Sequence, residues 1–156
     1  MSIPPVPMLK VAGVGGGVGV TTLARVLQAD DEGIYVGQQT TVLVCRSTAS
    51  SVAAATAAVA ATTAQPTPLI LAVVGDGPWP VPAVVRARLR MLAPHVALVV
   101  HVPYVGRWRE LDDPLAADAP TPPRPFRAAI TALLHTAHQI AWPGAHGSPP
   151  ASTRRG

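Results

Sequence analysis

Residues 8–26 read MLKVAGVGGGVGVTTLARV, and this stretch decides the fold. A short apolar run is followed by four glycines in five positions, then two threonines, then apolar residues at helical spacing. That order predicts strand, phosphate-type loop, helix. Glycines at such a turn let consecutive backbone N–H groups face one anion, and the helix that follows adds the positive end of its dipole. A phosphate loop also carries a lysine just before its Ser/Thr. Val20 stands there in this chain.

Working outward, residues 8–14 predict a first strand, apolar on both faces as a buried parallel strand requires. Leu23, Val26 and Leu27 give the following helix one apolar stripe, and Asp30, Asp31, Glu32 and Gly33 are expected to close it, with a loop through Gln39. Residues 41–45 (TVLVC) predict a second strand, and Ser47 or Thr48 is suited to cap the alanine-rich stretch 49–61 as a helix. After Pro66 and Pro68, residues 69–74 predict a third strand, and GDGPWP at 75–80 is a turn cluster at its end. Pro82 fits the first turn of a third helix, in which Val85, Leu89 and Leu92 form the apolar stripe and Pro94 marks the stop. Residues 95–102 predict a fourth strand, followed by the loop PYVGRWRELDDP and a proline-rich stretch to Pro125. A last helix is expected from about Phe126 to Trp142, where Phe126, Ala129, Ile130, Leu133, Leu134, Ala137 and Ala141 keep the helical period.

Strands alternating with helices imply right-handed crossovers. The fold expected is a small three-layer P-loop-like α/β domain, a mostly parallel four-stranded sheet with helices on both faces. The domain spans 8–142, between a proline-containing lead-in at 1–7 and a basic tail at 143–156 expected to be disordered. Ligands of such sheets bind outside the carboxyl ends of the strands, and every unusual loop of this chain falls on that edge.

Composition narrows the classes. With 156 residues, one domain can bury a core without staples. A single cysteine excludes an internal disulfide framework, the first residues lack the apolar core of a secretory signal, and no apolar run reaches the about 18 residues of a membrane helix. A cytoplasmic protein without a membrane span is the expectation. The net charge of +4 is uneven, because residues 81–156 carry nine basic and four acidic groups. The basic groups are spread over a helix and a tail, which disfavours a nucleic-acid surface.

After the strand, GGVG followed by TT resembles the phosphate loop of the MinD, ParA and Mrp type of ATPases, whose pattern runs GKGGVGKTT. Here 14–22 reads VGGGVGVTT: Gly16, Gly17, Val18, Gly19, Thr21 and Thr22 match, whereas Val14, Gly15 and Val20 replace the first glycine and both lysines. The resemblance implies an ATP site on Gly15, Gly16, Gly17, Val18, Gly19, Val20, Thr21 and Thr22, with magnesium held by Thr21. In that family a strand ends in a water-activating aspartate, where this chain has Cys45 and Arg46, and a later strand ends in Asp-x-Pro near the magnesium, where this chain has Asp76 and Pro78. Asp76 is thus the second candidate magnesium residue. The segments VLVCRST, GDGPWP and VPYVGRWRE are also similar to small actinobacterial proteins of unknown function encoded near conjugation-type genes.

A hydrogen bond to a charged group contributes roughly 1.5–3 kcal/mol, so a missing lysine weakens phosphate binding about ten- to a hundredfold. Hydrolysis suffers more, because phosphoryl transfer depends on cations that tighten in the transition state. Arg46, Arg107 and Arg109 lie on strand-end loops of the same edge and are candidates to replace the charge, since arginine grips phosphate oxygens bidentately. Two function classes follow. One is a catalytically degenerate P-loop accessory or interaction protein, with a partner such as an ATPase of a DNA-transfer or partition-like system. The other is an ATP-binding switch of the ParA/MinD type that uses arginines and pairs as a homodimer.

Other residues take plainer readings. His135 and His138, three apart with His146 beyond, have no acid or cysteine beside them and read as a solvated helix face. Cys45 reads as a small buried hydrophobe. Trp79 and Trp108 flank the expected crevice, where they either stack on a ligand or seal the sheet end.

Overall fold

A computed structural model describes residues 8–62 and 68–141. The lead-in at 1–7, the tail at 143–156, Pro66, Trp142 and His146 lie outside the described residues. The elements are β1 (Lys10–Gly13), α1 (Val20–Leu27), β2 (Asp30–Ile34), β3 (Val42–Arg46), α2 (Ala49–Ala61), β4 (Ile70–Val74), α3 (Ala83–Leu92), β5 (Leu98–Val102) and α4 (Arg124–Ala141). The five strands form one all-parallel sheet in the order β2-β1-β3-β4-β5.

The α/β class with helices on both faces is as expected, but the sheet has five strands rather than four. The extra strand is β2, DDEGI, on residues expected to end the first helix. Helix α1 instead stops at Gln28, whose left-handed backbone (φ 52°) lets its N–H reach back to the carbonyls of Ala24 and Arg25. Asp30 then pairs in register with Lys10 and Asp31 with Val11. An edge strand with exposed sides needs no apolar alternation, which is why its acids looked like a loop.

Other boundaries shift by a few residues. His95 belongs to a 3-10 turn (Ala93–His95) together with Pro94, so β5 begins only at Leu98. Pro82 precedes α3 as its cap residue, and α4 begins at Arg124. Thr48, not Ser47, caps α2: its hydroxyl accepts from the Ser51 N–H at 3.3 Å.

Two apolar layers sandwich the sheet. On one face Val11, Val42, Val44, Ile70, Ala72, Val100 and Val102 meet Leu23 and Leu27 of α1 and Phe126, Ile130 and Leu133 of α4. On the other, Leu43, Cys45, Leu71 and Val73 meet Val52, Ala55 and Val59 of α2 and Val85, Leu89 and Leu92 of α3. The alanines of α2 let it approach closely; burial of the larger side chains supplies the main driving force. Residues 35–41 link β2 to β3 without a helix, and Tyr35 of that link packs against the α2–α3 layer.

With this order, α1 leads from β1 to one side and α2 leads from β3 to the other. The chain therefore diverges between β1 and β3, and their carboxyl ends open the crevice where ligands of doubly wound sheets bind. The glycine loop and Arg46 both end there.

Candidate phosphate-loop site

The loop is fixed by contacts on its apolar side. A Cβ on Gly13 would lie 2.6 Å from a methyl of Val18 and 2.6 Å from one of Val20, so the strand end must be glycine for those valines to fold over it. Val18 is buried, and Val20 packs against the same core layer. Val20 is thus half-buried, packed over Gly13 and the core layer while also bordering the groove on the β2 side. Gly17 (φ 70°) and Gly19 (φ 98°) take left-handed backbone, which glycine adopts without steric cost, and Gly19 turns the chain into α1.

On its polar side the loop meets Arg46, at the end of β3. The Arg46 Nε donates to the carbonyl of Gly17 at 2.9 Å and Nη2 donates to the same oxygen. Nη1 pairs with Oδ1 of Asp76 at 3.1 Å. Asp76 is itself held by its backbone N–H, which donates to the Ser47 hydroxyl at 3.1 Å. A guanidinium thus bridges the loop and the end of β4.

The sequence candidates divide between two grooves. Gly17, Val18, Gly19, Thr22, Arg46, Asp76 and Arg109 line a cleft of about 330 Å³ whose apolar wall includes Val74, Val102, Trp108 and Phe126. Gly15, Gly16, Val20 and Thr21 line a second groove of about 390 Å³ on the β2 side, which Gly17, Val18, Gly19 and Thr22 also border. Thr21 donates its hydroxyl to Oδ2 of Asp31 at 2.9 Å. The two candidate magnesium residues, Thr21 and Asp76, therefore face different grooves and different partners. Arg109 stands over the ring of Tyr104, 5.3 Å from its centroid, on the rim of the cleft. Arg107, on the same 3-10 turn (Gly106–Glu110), is exposed and is not among the residues lining that cleft.

Asp31, Ser47 and Tyr104 are contributors that sequence reasoning missed. Asp31 had no signal, because its strand read as the end of a helix. Ser47 was read as a cap, and its use by Asp76 depends on the β3–β4 register.

The tryptophans separate too. Trp108 lies edge-on against Phe126, with centroids 4.8 Å apart and planes at 73°, and so forms part of the cleft wall. Trp79, 62% exposed, covers Gly77 and borders a different groove with Tyr104 and His101. Cys45 is fully buried, and burial pushes its thiol up to about 12, which keeps it protonated at neutral pH. Among the described residues no three His, Cys, Asp or Glu side chains gather as a metal cluster, and His135 hydrogen-bonds to Gln139 of its own helix, at 3.1 Å.

A salt bridge of 2.9 Å between Arg25 of α1 and Asp113 ties the segment after β5 to the helix behind the loop. The Asp113 carboxyl is held below its usual range, first by the hydrogen bond from Arg25 and then by the N–H of Leu115.

No described helix is long and apolar enough to cross a membrane. Compared with protein-family models, curated proteins and solved structures, the chain matches none of them.

Proposed function

We propose that this domain is a catalytically degenerate P-loop-like protein that works by binding, as an accessory or interaction protein, and not by transferring phosphate. The observation that carries the reading is the Arg46 bridge. Among the described residues Arg46 is the cation that bonds to the loop, and it already serves the Gly17 carbonyl and the Asp76 carboxylate, while Val20 packs against the core layer. An incoming phosphate would have to displace a carboxylate and would meet no lysine, and no acid stands at the end of β3 to orient water. The partner implied by the resemblance is an ATPase of a DNA-transfer or partition-like system.

A second reading, an ATP-binding switch, is favoured by one observation: Arg46 and Arg109 line the same 330 Å³ cleft as Gly17, Gly19 and Thr22. Calorimetric titration of ATP and GTP with magnesium into the unmodified chain and into Val20→Lys separates the two. The interaction reading expects no turnover and affinity in the lysine variant alone. Micromolar affinity in the unmodified chain, lost in Arg46→Ala with the fold intact, would establish the switch instead. Magnesium-dependent turnover that disappears in Thr21→Ala would overturn the degenerate reading, while the switch reading allows slow hydrolysis.

A further inference from the structure

The two edges of the sheet carry opposite charge, and one of them has a groove. Helix α3 turns Arg88 toward α2, where its Nη1 donates to the Ala49 carbonyl at 2.9 Å. Its other flank, bearing Arg86 and Arg90 and continued by Ala93 of the 3-10 turn, therefore faces outward along β5. There it encloses with Val81, Leu89, Val99 and His101 an apolar groove of about 310 Å³. Arg86 reaches only the Val81 carbonyl, at 3.4 Å, and neither Arg86 nor Arg90 forms an ion pair among the described residues. Strand β5 is the last of the sheet among the described residues, so this groove lies along that edge.

At the opposite edge, β2 exposes Asp30 and Asp31 beside Ile34 (54% exposed), and the link that follows exposes Val36 (84%). Asp31 lies on the α1 side, bonded to Thr21. By strand alternation its neighbours Asp30 and Glu32 fall on the other side of the sheet, the side on which α3 lies at the far edge. Neither forms an ion pair among the described residues.

We infer that the chain assembles head to tail, the acidic β2 edge of one copy seating against the Arg86–Arg90 groove of the next. Set edge to edge, the two sheets place Asp30 and Glu32 on the same face as the two arginines, above the floor of Leu89, Val99 and Ala93. Charge selects this pairing over a symmetric one. Two β2 edges would oppose acid to acid, and two α3–β5 grooves would oppose arginine to arginine. The contact is heterologous, so each copy keeps one free edge and the assembly extends as an open chain or closes as a ring. Side chains more than a backbone ladder carry it, because the Gly33 N–H is already taken by the Asp31 carboxylate at 2.9 Å. It is therefore salt-sensitive, within the roughly 10 Å screening length of 0.1 M salt.

Sedimentation velocity of the full chain over a concentration series, at low and at high salt, tests this together with two charge-reversed chains, Asp30→Arg/Glu32→Arg and Arg86→Glu/Arg90→Glu. The unmodified chain is expected to form species larger than a dimer at low salt and to fall back to monomer at high salt. Each reversed chain alone is expected to associate at least about tenfold more weakly, as the loss of two ion pairs predicts. Mixed together, the two present one native and one charge-swapped pair of complementary edges, so association beyond a dimer should return, and chains that stay apart on mixing would overturn the proposal. A monomer at every concentration, a strict symmetric dimer, or growth unchanged by either reversal would overturn the proposal. Should a reversed chain fail to fold by circular dichroism, Glu32→Gln and Arg90→Gln give the same comparison with milder changes.

Discussion

Arg46 and Asp76, at the ends of neighbouring parallel strands, meet at 3.1 Å across the mouth of the glycine loop, and the same guanidinium holds the loop through the Gly17 carbonyl. The two side chains are 45% and 32% exposed, so water screens the pair and its effect on overall stability is modest. Its effect on the loop is larger, because the Gly17 carbonyl has Arg46 as its partner on that side.

Arg46→Ala should therefore lower the unfolding free energy by only about 1 kcal/mol. Amide hydrogen exchange at Gly17 and Gly19 should accelerate clearly, while exchange in β4 stays as it was. Unchanged exchange in the loop would show that its glycines and valines hold it without the arginine.

Gly13→Ala tests the apolar side of the same loop. The added methyl would sit 2.6 Å from both Val18 and Val20, against a strand end that cannot retreat from its pairing with β3. Overpacking of this kind costs about 1–3 kcal/mol. Urea denaturation should show that loss, and Gly13→Ala combined with Val20→Ala should recover part of it. Equal stability of the single variant and the unmodified chain would mean that the valines move aside freely.

Cys45 should not react with a thiol reagent such as DTNB at pH 8 while the chain is folded, and should react at once in denaturant. Burial raises its folded value to about 12, above the unfolded value near 8.5. The neutral thiol thus favours folding fully below the unfolded value, and that contribution is lost as pH rises toward 12. Fast labelling of the folded chain would contradict the burial.

For Asp113 the sign is opposite. Its carboxyl is held low by Arg25, so the contribution of the pair is present above the ordinary carboxylate value and is lost as pH falls through the lowered one. An NMR titration should place Asp113 below a free aspartate, and Arg25→Gln should raise it. An unmoved midpoint in the variant would remove Arg25 as the cause.

The glycine run, the two threonines and the apolar stripes announced a strand–loop–helix unit and an α/β sheet, and the described structure has both. Local sequence suffices there, because glycine spacing and hydrophobic period act over a few residues. The core side chains of α4, from Phe126 to Leu133 and Ala137, were legible for the same reason. Strand β2 was not: its acids lie on an edge that buries little, and only pairing with β1 makes them a strand.

The candidate site was legible as a set of residues and not as an arrangement. Sequence placed Gly17, Thr21, Arg46, Asp76 and Arg109 on one edge of the sheet. It did not show that Arg46 grips Gly17 and Asp76, that Thr21 turns away to Asp31, or that Val20 packs inward over Gly13. Those relationships depend on strand order and register, which bring together residues 29 and 30 positions apart and set which side chains share a face. The sequence by itself determined the glycine loop and the valine, Val20, that precedes its two threonines. Only the tertiary structure decided that an arginine from the neighbouring strand bridges the loop, because strand order and register, not local sequence, set that contact.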